Sequence, residues 1–202
     1  MLIALIIVAA VAIASVTGAV LLMNNGGSDR DDDSDTDDQN DKGSGLDNLA
    51  NGDYMELRTT SESSIAWMNT TMRWEISNLD STGYDVTIRV TSDIFNYTTT
   101  VRASLDDGLG TGAVDDNYSK GTLIGTETLS TPIGNKQVEH WRLTETEGSM
   151  TTVTDYYVGK DTKMVYKWVV TITDPSNPDV DSVSTTLLTE TNINAIKNGD
   201  RA

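Results

Sequence analysis

Cysteine is absent from all 202 residues, which removes disulfides, thiolate chemistry and every Cys-ligated zinc or iron–sulfur site. Histidine occurs once, as His140, so no His-rich metal site can form and a His-centred dyad has little scope. Basic residues are scarce, 14 Lys+Arg against 31 Asp+Glu, for a formal net charge of -17 and a pI near 4.1. Phosphate backbones need Lys and Arg to displace their counterions, so nucleic acid is not an expected partner. A Gly-rich phosphate loop, a Ser-centred elbow and a paired-carboxylate signature are all missing. The residues therefore designate no catalytic group, no metal site and no cofactor, and an enzyme is not expected.

Long uncharged runs, by contrast, are present at one place. Residues 2–23 carry no charge, and Ser15 and Thr17 are their only polar side chains. At 1.5 Å per residue such a helix is roughly 33 Å long, close to a hydrocarbon core of about 30 Å. A buried helix of a soluble domain would show a polar stripe, and this one has none. Ala12-Ile13-Ala14 is a small-x-small pattern of the kind cut in secretion signals. No basic stretch precedes it, however, and apolar character continues for nine residues beyond Ala14. Residues 1–23 are read as an uncleaved transmembrane anchor. The Thr- and Asp-rich, Cys-free remainder is read as extracytoplasmic, which makes a single-pass protein of the plasma membrane with its C-terminal domain outside.

Residues 24–52 change character completely. Between Asp29 and Asp47 stand nine Asp against Arg30 and Lys42, with no aromatic residue. Such a segment cannot bury enough surface to offset its conformational entropy, and like charges extend it. It is read as a disordered acidic linker. Asp33, Asp35 and Asp37 have the alternate spacing that opens a calcium loop, but Asp38 stands where the turn demands Gly and Ser44 where a bidentate Glu belongs.

Residues 53–202 read as a β domain. Tyr84, Val86, Ile88 and Val90 alternate with Asp85, Thr87, Arg89 and Thr91, the period-two pattern of a half-buried strand. Phe95 to Ala103, Met68 to Ile76 and Met164 to Ile172 repeat it, giving eight or nine strands in all. Breaks such as Asp80-Ser81-Thr82-Gly83, Glu147-Gly148 and Asp174-Pro175 carry turn chemistry. Short turns imply antiparallel pairing, because parallel crossovers need a dozen or more residues. Without a long amphipathic helix, the sheet must cover its own apolar face. The expected fold is mainly β, a strongly curved antiparallel sheet forming a half-barrel or open barrel, with a barrel or a sandwich as alternatives. Trp74 and Trp168 fall in phase with the core. Trp67 and Trp141 do not, and are the candidates to face an apolar ligand on a concave surface. Asn192 to Lys197 is read as one short helical turn.

A family resemblance lies in two lines. Thr131-Pro132-Ile133-Gly134 leads into Asn135 to Trp141, and Tyr156-Tyr157-Val158-Gly159 leads through Met164-Val165-Tyr166-Lys167. Together they resemble the curved-sheet superfamily that includes the LolA/LppX-like lipoprotein carriers. The resemblance implies an extracytoplasmic β domain with an apolar concave face. Anchor, polar tether and one such domain are also similar to the layout of archaeal surface proteins.

The remaining candidates have ordinary readings. His140, in a strand between Glu139 and Trp141, is expected to be structural rather than a general base. Glu145 and Glu147 share one side of a strand beside a turn and are expected to be solvated. Asp106-Asp107, Asp115-Asp116 and Asp174/Asp179/Asp181 are read as loop polarity rather than calcium ligands. Three glycosylation sequons start at Asn69, Asn96 and Asn117, but 14 Asn, 29 Thr and 17 Ser would give about three by chance. Of these, Asn117 in the long Gly- and Asp-rich connection is expected to be the most accessible. The functional expectation is a non-enzymatic, membrane-anchored surface protein whose β domain binds an apolar ligand or a neighbouring surface protein. The alternative is an archaeal type IV pilin-like filament subunit, which also joins an N-terminal apolar helix to a β domain.

Overall fold

The computed structural model describes residues 49–64, 66–104 and 116–202. The anchor at 1–23, the calcium-loop and filament readings that depend on residues before 49, and the loop aspartates 106, 107 and 115 lie outside them. So do the side chains of Asp116 and Asn117. Among the described residues, no helix is long and apolar enough to cross a membrane.

Nine strands follow one another: β1 Tyr54–Ser63, β2 Trp67–Asp80, β3 Gly83–Ser92, β4 Asn96–Ser104, β5 Thr122–Thr131, β6 Gly134–Glu147, β7 Met150–Gly159, β8 Val165–Thr173 and β9 Ser182–Thr191. They form one antiparallel sheet in the order β4-β3-β2-β1-β9-β8-β7-β6-β5. Two meanders, β1–β4 and β5–β9, are thus joined through the first and last strands, where Met55 pairs with Thr191 and Ser63 with Ser182. β4 and β5 are the free edges, so the sheet is not closed into a barrel.

The sheet nevertheless curls. β5 and β9 stand four places apart, about 19 Å in a flat sheet, yet some of their Cα atoms come within 8 Å. Curling covers the inner face without helices. Met55, Leu57, Trp74, Ile76, Val86, Ile88 and Leu188 are all buried there, and Leu57, Val86, Ile88 and Leu188 are fully so. Their alternation with Arg58, Arg73, Glu75 and Arg89 is the reason the inner and outer faces differ. On the outside, Arg89 donates to Glu75 at 2.9 Å, and the Arg73 guanidinium lies 3.7 Å from the Tyr54 ring centroid.

Three departures from strict alternation shape the lower end. Tyr166 is an extra residue in β8: Lys167 pairs with Tyr157, but Val165 pairs with Val158. Tyr166 therefore leaves the face shared by Trp168 and Val170, a correction to the single apolar face read over Met164 to Ile172. Its hydroxyl donates instead to Ile196 O and Asp200 Oδ2. The second departure is the C-terminal helix Asn194–Asn198, held by the buried ammonium of Lys136, which donates to Ile196 O, Lys197 O and Gly199 O at 2.7–2.9 Å. Three protons meet three carbonyls, the groups a helix C-terminus leaves unpaired. The third is Asp200, left-handed at φ 50° and buried, which accepts from Asp161 N, Thr162 N, Thr162 Oγ1 and Tyr166 Oη.

The N-terminal boundary is also built into the sheet. Leu49 packs on the core, Gly52 N donates to Ile76 O, and Leu79 N donates to Asn51 Oδ1. Residues 49–52, linker by composition, thus lie against β2.

Candidate functional site

Register places the inner-face residues in rows, since directly opposed residues share a face. One row runs Trp141, Tyr156, Trp168, Thr186, Thr59, Thr70 from β6 to β2. The next runs Leu143, Thr154, Val170, Ser184, Ser61, Met68. Beyond it come Glu145, Thr152, Ile172 and Ser182, so the face ends in a mixed rim.

Burial divides this face in two. On β1 to β3 the inner residues are sealed, Trp74 being 1% exposed. On β6 and β8, Trp141, Leu143, Trp168, Val170 and Ile172 are only partly covered. Tyr156 between them is buried at 6% exposure. The described end of the β4–β5 connection, a 3-10 turn at Asp116–Lys120, reaches over the same place. Tyr118 stands edge-on to Trp141 at 5.8 Å between centroids and tilted to Tyr156 at 6.5 Å. An aromatic floor with an incomplete cover results.

A hydroxyl seam runs beside it. Thr59 and Thr186 Oγ1 lie 2.8 Å apart, as do Ser61 and Ser184 Oγ. Thr70 Oγ1 and Trp74 Nε1 are buried with no hydrogen-bond partner among the described residues. Ser61, Ser184 and Thr186 are themselves buried, so the two hydroxyl pairs satisfy one another inside the join between β1 and β9.

The two tryptophans singled out from the sequence are not brought together. Trp141 lies in the inner aromatic row, with Nε1 3.4 Å from Glu139 Oε2. Trp67 pairs with Glu62, one residue out of phase with buried Met68, so it sits on the outer face at 61% exposure. Trp168 and Tyr118 join Trp141 in this aromatic group, although the first is in phase with the core in the sequence and the second carries no signal there. Only the cross-strand register shows that Trp168 abuts Tyr156.

His140 lies on the other side of β6, in a polar cluster. Its Nε2 is 2.7 Å from Asp155 Oδ1, its Nδ1 is 3.5 Å from Glu127 Oε1, and its ring stacks on Tyr157 at 4.7 Å. Arg142 clamps both oxygens of Asp155, at 2.8 and 3.0 Å. Partial burial works to raise the Asp155 carboxyl, but the Arg142 and His140 bonds outweigh it and hold it below the usual range. Burial pushes the Tyr157 phenol up, with the Asp155 charge adding to it. The arrangement ties β5, β6 and β7 together.

The acidic loop at 174–181 is self-satisfied. Asp174 Oδ1 accepts from Ser176 N and Oγ, and Asp181 Oδ1 accepts from Asp174 N. Among the described residues, no group of three or more His, Asp or Glu side chains is placed to hold a metal ion. Glu145 and Glu147 are exposed at the end of β6.

No family model and no curated protein matches the chain. Among solved structures, an exported protein with a YmcC-like fold from Bacteroides fragilis is 8% identical, with 70% of this chain and 96% of that chain covered and a TM-score of 0.36. A LolA superfamily protein from Nitrosomonas europaea is also 8% identical, covering 70% of this chain and 85% of that one, with a TM-score of 0.22.

Proposed function

We propose that the chain is a non-enzymatic, single-pass membrane-anchored surface protein whose β domain binds an apolar ligand on its inner face. The observation that carries the ligand reading is the row Trp141–Tyr156–Trp168, whose two tryptophans are half-covered, with Tyr118 standing against Trp141 and Tyr156. Each large aromatic side chain favours burial by a few kcal/mol, so an incompletely covered aromatic floor is a surface prepared for an apolar partner. A neighbouring surface protein that inserts an apolar segment would use the same residues.

The placement outside the membrane is supported by residues 2–23, charge-free and of spanning length, and by the acidic tether after them.

Location is tested on intact cells carrying a C-terminal tag. Protease added outside is expected to cut the acidic tether and release a tagged fragment beginning near residue 49. A tag protected until lysis contradicts the surface placement.

A further inference from the structure

Trp67 is the most exposed large hydrophobic residue among those described, at 61%, and it has no ring contact among the described residues. The inner-face ligand does not account for it, because it points the other way. Its neighbours on the same face do. In a strand, residues two apart project to one side, so Trp67, Asn69 and Thr71 line up along the outer face of β2 while Met68 and Thr70 are buried. Asn69-Thr70-Thr71 is a glycosylation sequon. The strand thus presents an exposed indole, the acceptor carboxamide and the sequon hydroxyl in that order. Thr60, exposed on β1, donates to Asn69 Oδ1 at 3.2 Å, so the carboxamide borders solvent.

We infer that Asn69 carries an asparagine-linked glycan whose first sugar ring packs on the face of Trp67. The inference rests on the proposed placement of the domain outside the membrane, where such glycans are attached. The donor is a lipid-linked oligosaccharide phosphate, and the catalyst is a membrane oligosaccharyltransferase of the same cell. The Asn69 carboxamide nitrogen forms a bond to the anomeric carbon as that carbon's bond to the phosphate oxygen breaks. The lipid phosphate departs with the electron pair, and the amide proton passes to a base of the transferase. Trp67 then offers its flat apolar face to the C–H face of the attached pyranose, which removes apolar surface of both from water.

Asn96-Tyr97-Thr98, at the start of edge strand β4, supplies an internal comparison. Its Asn and Thr are exposed, but the residue two places ahead is Ile94 rather than an aromatic ring. A glycan at Asn69 is therefore expected to stabilise the fold through the ring at position 67, and a glycan at Asn96 is not.

The full-length chain, tagged at the C-terminus, is purified from the membranes of the cells that make it, and peptides spanning Asn69 are weighed by mass spectrometry. The expected result is a glycan mass on the Asn69 peptide, lost in Asn69→Gln. Removing the glycan by Asn69→Gln is expected to lower the melting temperature in the parent chain and in Trp67→Phe, and to leave it unchanged in Trp67→Ala. An unmodified Asn69 in a chain whose tag is reachable on intact cells overturns the inference and leaves the surface placement standing. An unmodified Asn69 with a protected tag overturns both. An Asn69→Gln shift in melting temperature that is the same in Trp67→Ala as in the parent chain overturns the stacking.

Discussion

At the residue scale, the lower end of the sheet depends on three polar side chains that a hydrophobic core would not be expected to admit. Lys136, 1% exposed, is lowered in its proton affinity by burial, yet all three of its donors are taken by carbonyls of the C-terminal turn. Lys136→Met fills similar space but strands those carbonyls. At about 1–3 kcal/mol for an unsatisfied buried group, the variant is expected to lose about 3 kcal/mol in urea unfolding. Tyr166 gives a pH dependence. Burial pushes its ionisation well above the ordinary tyrosine value, and the Asp200 charge adds to that. Above about pH 10 an unfolded chain releases this proton while the folded one keeps it. Stability is then flat below that pH and falls as pH rises beyond it. Tyr166→Phe is expected to be less stable at neutral pH, through loss of its two hydrogen bonds, and to show a shallower alkaline decline in urea midpoints between about pH 8 and about pH 11.

At the element scale, alternation made some strands legible and misread others. Tyr84 to Val90 alternates cleanly because β3 is interior to the sheet and meets the core on one face only. Tyr97 follows the same phase on β4 yet is 50% exposed, because a free edge has no neighbour to cover it. Which strand is an edge depends on the pairing of β1 with β9, a contact across some 130 residues that no local pattern encodes. β6 is the hardest to read. It buries Lys136 and Val138 on one side near its start and turns Trp141 and Leu143 to the other side further along. Trp141 is consequently out of phase in the sequence, and that ambiguity makes it a ligand-facing candidate. The same pattern singles out Trp67, which lies on the outer face. The turn residues were more direct guides: Asp80-Ser81-Thr82-Gly83 does connect β2 to β3, with Asp80 Oδ1 accepting from Thr82 N, Thr82 Oγ1 and Gly83 N. Gly83 also lets β4 approach, since a Cβ there would run into the Ala103 carbonyl oxygen. Gly83→Ala is expected to push the edge strand away and cost about 2 kcal/mol, read as faster hydrogen exchange of the β4 amides with β7 and β8 unchanged.

At the scale of the whole molecule, a single sheet must serve as both wall and core. The meander β1–β4 closes its inner face over Trp74, Ile88 and Leu57, whereas the meander β5–β9 leaves Trp141, Trp168 and Val170 half-covered. One half supplies stability and the other a surface. The two free edges are consecutive in sequence, and the connection between them brings Tyr118 onto that surface. Ligand affinity is therefore expected to be sensitive to this connection as well as to the strands. The most direct test is quenching of tryptophan fluorescence by brominated acyl chains added to residues 49–202, in the parent sequence and in Trp67→Phe and Trp141→Phe. Saturable quenching that persists in Trp67→Phe and drops in Trp141→Phe is the result expected of an apolar ligand seated on the inner face. Absence of saturable quenching, or quenching that disappears only with Trp67, would contradict it.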